Sequence, residues 1–224
     1  MKKIVAVYLC MISIILCACS KSSTNVIAPD ACDSPEKAIE TFITAIKGGD
    51  LNAIRASFAI QDYIDGYDQD SEYAKQIPKP TFEERAGKVT EHVYTFLLGF
   101  NMIFEEESNM EDLLNIEKES LTDPKQYESL QIVRIDLPET DEELHKKNIS
   151  SQEYLVTKLY QADSRDYRTA LLSLDGKTYY CGFNFAVFDG KYEIYDFTCP
   201  LVSIDYRLAL FPCTEEEYLQ LIES

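Results

Sequence analysis

Cys17 and Cys19 stand one residue apart in the stretch Ile14-Ile15-Leu16-Cys17-Ala18-Cys19-Ser20. That spacing suits a redox pair, half of a metal site or a processing signal, and the residues before it choose among them. Lys2 and Lys3 are followed by an uncharged run from Ile4 to Cys17. A basic start, a short apolar run and small residues at its end form the pattern of a secretory signal peptide. The run is too short to span a bilayer, which takes about 20 apolar residues. Other candidate chemistry is sparse. With His92 and His145 as the only histidines, His-rich metal sites are excluded. His92 sits between Val89 and Val93, where a base in a pocket and a helix residue at the core margin both fit. His145, in "DEELHKK" behind a Thr140–Glu143 capping box, reads as a solvent-facing charge. The densest acidic run is Asp62, Asp65, Asp68, Asp70 and Glu72. Aligned as a calcium loop with Gly66 at position 6, it presents Gln61 and Tyr63 where carboxylates are required. It reads as a solvated loop, and no metal or cofactor is expected. The sequence contains no nucleophile elbow, zinc spacing or phosphate-cradling glycine loop.

The end of the apolar run resembles the bacterial lipoprotein processing site, with Leu16-Cys17-Ala18 leading to Cys19. The resemblance implies cleavage before Cys19 and a thioether-linked diacylglycerol on its sulfur. Cys17 as the acceptor would put bulky Leu16 just before the cut, a poorer fit. The remaining alternative is an ordinary secretory signal with incidental cysteines. On the lipoprotein reading, residues 1–18 are the signal peptide, 19–32 a polar tether and 33–224 a single α+β domain. Two acyl chains are enough for stable anchoring, at about 0.8 kcal/mol for each buried methylene. The expected location is the extracytoplasmic face of the cell membrane, with the lipid on Cys19 as the membrane contact.

Charge narrows the partners. The chain carries 39 acidic against 21 basic residues, a net charge of −18, and losing Lys2 and Lys3 takes it to −20. Nucleic-acid binding needs lysine and arginine to displace counterions from phosphates, so it is excluded. Cys32, Cys181, Cys199 and Cys213 remain in the folded part, which permits two disulfides in an exported protein. Cys181 and Cys199 flank a hairpin turning at Asp189-Gly190. A two-residue turn would pair 181 with 198, and a glycine bulge would pair 181 with 197. Neither places the two cysteines opposite each other. Bridges to Cys32 or Cys213 fit at least as well, and reduced buried thiols are a further alternative.

The positioning elements follow from periodicity and caps. Ser34-Pro35 starts a helix whose apolar stripe is Ile39, Phe42, Ile43 and Ile46, stopped by Gly48-Gly49. Asp50 caps a second helix with Leu51, Ile54 and Phe58. Residues 61–80 read as loop. Thr81 and Glu84 open a long helix with Phe82, Ala86, Val89, Val93, Phe96, Phe100 and Ile103 inward. Beyond residue 130 the texture turns to strands at 130–137, 167–174, 177–188 and 191–199, two of the turns being "DGK", and 153–160, which fits helix or strand, is read as strand with them. Tyr179, Cys181, Phe183, Phe185 and Val187 share a core face. Residues 214–224 read as a terminal helix. Helices first and an antiparallel sheet afterwards predict an α+β fold, with the helices covering one face of the sheet.

The stretches "SPEKAIETFITAIKGGDLNAIRASF" (34–58) and "FNFAVFDGKYEIYDF" (183–197) resemble the opening and closing segments of the NTF2-like (cystatin-like) superfamily. That resemblance implies a curved sheet wrapped around the helices as a cone, often with a pocket inside. By their places on the long helix and the closing strands, His92, Phe183 and Tyr195 are the candidate pocket residues, and Tyr179, Tyr180 and Asp196 lie on suitable strands, but no motif of the superfamily fixes any of them. The expected function is non-catalytic binding of a small apolar ligand or an envelope protein. The alternative is an isomerase- or hydrolase-like enzyme using the interior of the cone.

Overall fold

The computed structural model describes residues 32–101, 120–138, 154–198 and 209–223. The expectations for Cys19, Ile103, His145, Cys199 and the tether up to residue 31 lie outside those residues. Ser34 caps α1 (Pro35–Gly48) by accepting the Lys37 N–H at 3.2 Å, and Pro35 fits the first turn. Gly49, at φ 67°, ends the helix by donating to the Ile46 carbonyl. Asp50 accepts from the Asn52 and Ala53 N–H groups to start α2 (Leu51–Ala56). A reciprocal capping box between Thr81 and Glu84 opens α4 (Phe82–Gly99). Its buried stripe holds Val89, Val93, Phe96 and Leu97, but Phe82 is 47% exposed. Phe82 is the first residue of the helix, ahead of the turn that packs inward. The side chain buried there is Arg85.

Four strands, β1 (Gln131–Asp136), β2 (Ser164–Leu174), β3 (Lys177–Phe188) and β4 (Lys191–Thr198), pair antiparallel in that order. A short β5 (Phe211–Pro212) continues the line of β4 along β3, pairing with Tyr179 and Tyr180. Both hairpin turns hold two residues in the left-handed region, Asp175-Gly176 at φ 50° and 79° and Asp189-Gly190 at φ 50° and 73°. Consecutive positive φ values match the right-handed strand twist, so the "DG" pairs make tight two-residue turns. The open edge of β4 is closed by other backbone. Ile194 donates to the Ser57 carbonyl at 2.9 Å, Ala59 to Ile194 at 3.0 Å and Tyr192 to Cys32 at 2.8 Å.

The sheet is covered on both faces, not on one as the sequence predicts. The concave face packs on α1, α2 and α4 around Ile39, Phe42, Phe58, Phe96, Phe183 and Phe197. The opposite face carries two satellite clusters. One joins Tyr63 of α3 (Gln61–Asp65) and Val156 of α5 (154–158) to Ala186 and Phe188 of β3. The other joins Tyr218 and Ile222 of α6 (Glu215–Ile222) to Leu171 and Tyr180. Residues 61–65 are therefore helix rather than loop, and 154–158 are helix rather than strand. In both, one face of a short turn covers sheet that has no other cover, and this tertiary burial outweighs weak local pattern.

The cysteines divide between these layers. Cys32 and Cys181 belong to the concave core and Cys213 to the α6 cluster, so Cys181 and Cys213 lie on opposite faces of β3. All three are buried, and none is bonded to another of the three. The Cys32 thiol lies 3.6 Å from Thr41 Oγ1, and that of Cys181 lies 3.7 Å from the Gly182 carbonyl.

Gly66, which failed as a calcium-loop glycine, has a packing role. A Cβ placed on it would lie 2.1 Å from the Tyr160 backbone oxygen. Substituting Gly66→Ala must push α3 away from the 154–160 segment, at about 2–3 kcal/mol for overpacking against backbone. Thermal unfolding of the variant should show that loss, and an unchanged midpoint would mean that the approach is not tight.

Candidate ligand-binding cleft

The β3–β4 ladder shifts register between Asn184 and Phe185: Asn184 pairs with Asp196 and Phe185 with Ile194, leaving Tyr195 without a partner. A bulge of this kind re-aims side chains. Ile194 and Phe197 point to the concave core, whereas Tyr195 and Asp196, adjacent in sequence, both point out of it. The bulge also corrects the expected register at Cys181, because Gly182 pairs with Thr198.

Tyr195 and Asp196 line a cleft of about 600 Å³. One wall is α4, where Glu84, Arg85, Lys88, Glu91 and His92 recur at helical spacing along one flank of the buried stripe. The other is the Ile77-Pro78-Lys79-Pro80 segment, tied back by the Tyr67 hydroxyl donating to the Ile77 carbonyl at 2.6 Å. Tyr63 and Tyr160 complete it, their rings stacked at 3.5 Å between centroids.

Arg85 forms the base of the cleft. Its Nε donates to the Ala59 carbonyl at 2.9 Å and its Nη2 to the Tyr195 carbonyl at 3.2 Å. Its guanidinium carbon lies 4.3 Å from the Tyr63 ring centroid and 5.3 Å from that of Tyr195, within cation–π range. Burial pushes the phenols of Tyr63, Tyr160 and Tyr195 above their ordinary range. All three hydroxyls therefore stay protonated near neutral pH and can donate hydrogen bonds.

His92 Nδ1 approaches Asp196 Oδ1 at 3.4 Å, and the same Asp196 oxygen accepts the Phe197 N–H at 2.7 Å. Behind the cleft, burial and then the neighbouring Asp62 carboxylate push the Glu193 carboxyl up to about 8. Among the described residues, no group of three or more histidine, cysteine, aspartate or glutamate side chains is placed to hold a metal ion.

The structure thus brings His92 and Tyr195 to one cleft and leaves Phe183 out of it. Phe183 is fully buried in the concave core, with ring centroids 6.0 Å from Phe42 and 5.4 Å from Phe197. Sequence reasoning missed Arg85, although its place four residues before Val89, on the inward side of an amphipathic helix, marks it as unusual. Tyr63 and Tyr160 carry no comparable signal.

No family model matches the chain, and no curated protein does. A solved structure does: a cystatin-like protein from Ruminococcus gnavus ATCC 29149, with a TM-score of 0.52 and 20% identity. The fold is cystatin-like. The alignment covers 88% of this chain but 45% of that one, so this chain spans under half the length of its neighbour. At that identity the likeness establishes the architecture, an α+β fold with a curved, unclosed antiparallel sheet. Within this cystatin-like fold the cleft lined by Arg85, His92 and Tyr195 lies beside the cone rather than inside it.

Proposed function

We propose that this chain is an envelope lipoprotein, held at the extracytoplasmic face of the cell membrane by acyl chains on Cys19, whose folded part binds a small ligand or an envelope protein without turning it over. The observation that carries the binding half is the filled interior. Phe42 lies 5.0–6.0 Å, centroid to centroid, from Phe58, Phe96, Phe183 and Phe197, which leaves the concave side to packing. A reaction inside the cone needs room for substrate between helices and sheet, and aromatic rings occupy that place. The outer cleft is of ligand size.

The anchoring half is supported by the resemblance of Leu16-Cys17-Ala18-Cys19 to a lipoprotein processing site. Expression of the full chain in a lipoprotein-processing bacterium with radiolabelled palmitate should label it, and Cys19→Ala should abolish the label. Labelling that persists in Cys19→Ala would overturn this half.

One observation favours the enzymatic alternative: His92 and Asp196 stand 3.4 Å apart beside Tyr195, an acid–base arrangement. The pair lies at the protein surface, however, with its side chains 34% and 43% exposed, although the His92 Nδ1 facing Asp196 is itself sealed from solvent. The binding reading expects p-nitrophenyl esters to hydrolyse at the same background rate with wild-type protein and His92→Ala. A wild-type rate falling about 100-fold in His92→Ala, the scale of a lost general base, would establish catalysis instead.

A further inference from the structure

Arg85 is 5% exposed. Its acceptors among the described residues are two neutral carbonyls, and no described carboxylate lies within ion-pair distance of it. Nη1 has no acceptor among the described residues, yet it is not sealed from solvent, and Arg85 lines the cleft. A buried cation is costly unless paired, and peptide carbonyls with ring faces compensate only part of its desolvation. Nor is pairing limited by supply, since acidic residues outnumber basic ones 39 to 21. The side of Arg85 where a carboxylate would sit is the open cleft.

The other charges around the cleft leave that position unfilled. Glu84 is engaged by the Thr81 N–H and hydroxyl, at 2.8 and 3.0 Å. Asp196 faces His92 and the Phe197 N–H. Glu193, behind Arg85, is held largely neutral at pH 7 by burial and Asp62, so it does not offset the guanidinium. Lys79 and Lys88 bring positive charge to the lining and Glu91 negative charge. Tyr195, Pro78 and Pro80 line the same cleft and offer it flat apolar surface.

On the reading that this cleft is the binding site, we infer that its ligand is a small carboxylate on a flat apolar body, the carboxylate accepting from Arg85 Nη1 and the ring lying between Tyr195 and the Pro78–Pro80 wall. A free aromatic acid and the carboxy-terminal end of an aromatic peptide share this chemistry.

Calorimetric titration of the full chain with 3-phenylpropanoate and N-acetylphenylalanine, each against its neutral amide, tests the inference and separates the two sources. At least one acid is expected to bind about ten-fold or more tightly than its amide, and Arg85→Gln should erase that preference. Because Arg85 also ties Ala59 to Tyr195, a misfolded Arg85→Gln would be replaced by Lys88→Glu, a change at an exposed cleft residue. Lys88→Glu should weaken the acid about three-fold or more and leave the amide unchanged. Equal binding of acid and amide by the wild type would overturn the carboxylate assignment while leaving a binding cleft. No binding of any of the four compounds at 10 mM would overturn both.

Discussion

Truncating Phe42 to alanine is expected to destabilise the protein by about 3–5 kcal/mol, the range for emptying a fully buried aromatic site. Phe42 has no exposed surface and meets Phe58, Phe96 and Phe183 edge-to-face and Phe197 at a tilt. Its ring joins α1 to the 57–59 segment, to α4 and to β3 and β4 at once. Edge-to-face pairs contribute about 0.5–1.5 kcal/mol beyond area burial, and four partners cannot all collapse into the hole. Phe82→Ala is the matched control: the same atoms are removed from a half-exposed site, and the loss should stay within about 0.5 kcal/mol. Urea unfolding of both variants measures the contrast. Equal losses at the two positions would mean that the concave side is not the packed core described above, and the argument for binding outside the cone would fall with it.

The second large effect depends on pH. Glu193 is held at about 8 by burial first, then by the Asp62 charge and its hydrogen bond, with Lys191 and Arg85 pulling the other way. One of its oxygens, Oε2, is buried without a partner. An unfolded glutamate titrates near 4.3, so between about pH 4.5 and 8 the folded chain holds a proton that the unfolded chain has released. Stability must therefore fall as pH rises through that window, and the loss is complete once the folded carboxyl has ionised. Glu193→Gln removes the titration. The stability of the variant relative to wild type should grow by about 3 kcal/mol from pH 4.5 to pH 8, a value reduced from the full linkage figure for residual solvent access. Unfolding curves at five pH values suffice, and a difference that stays flat would show that Glu193 ionises normally. Glu193→Gln leaves Asp62 in place and so separates the glutamate's proton from Asp62's charge.

Much of the concave side could be read in the chain. The α1 stripe Ile39, Phe42, Ile43 and Ile46, the caps at Ser34, Asp50 and Thr81, and the two "DG" turns are all found in the structure. Each is decided within one helical turn or one hairpin, by hydrogen bonds and φ angles that neighbouring residues control. Half of the cleft was legible in the same way, because His92 lies beside the α4 stripe and Tyr195 on the last long strand. Phe183 was misassigned because alternation identifies an inward face but does not say whether that face is filled. Gly66 drew attention through a metal-loop alignment, and its packing against the Tyr160 carbonyl is a contact between segments nearly a hundred positions apart.

The sequence by itself determined the helix caps, the tight turns, the concave core and the net acidity, because these depend on local pattern and on composition. Tertiary structure decided the rest. It buried the outer face of β3 under α3, α5 and α6. It introduced the bulge that turns Tyr195 and Asp196 to the same side, and it set Arg85 beneath an open cleft with no carboxylate of a described residue beside it. The reason is physical: a bulge and a buried charge are stable only through what distant segments place around them, and no local period records that.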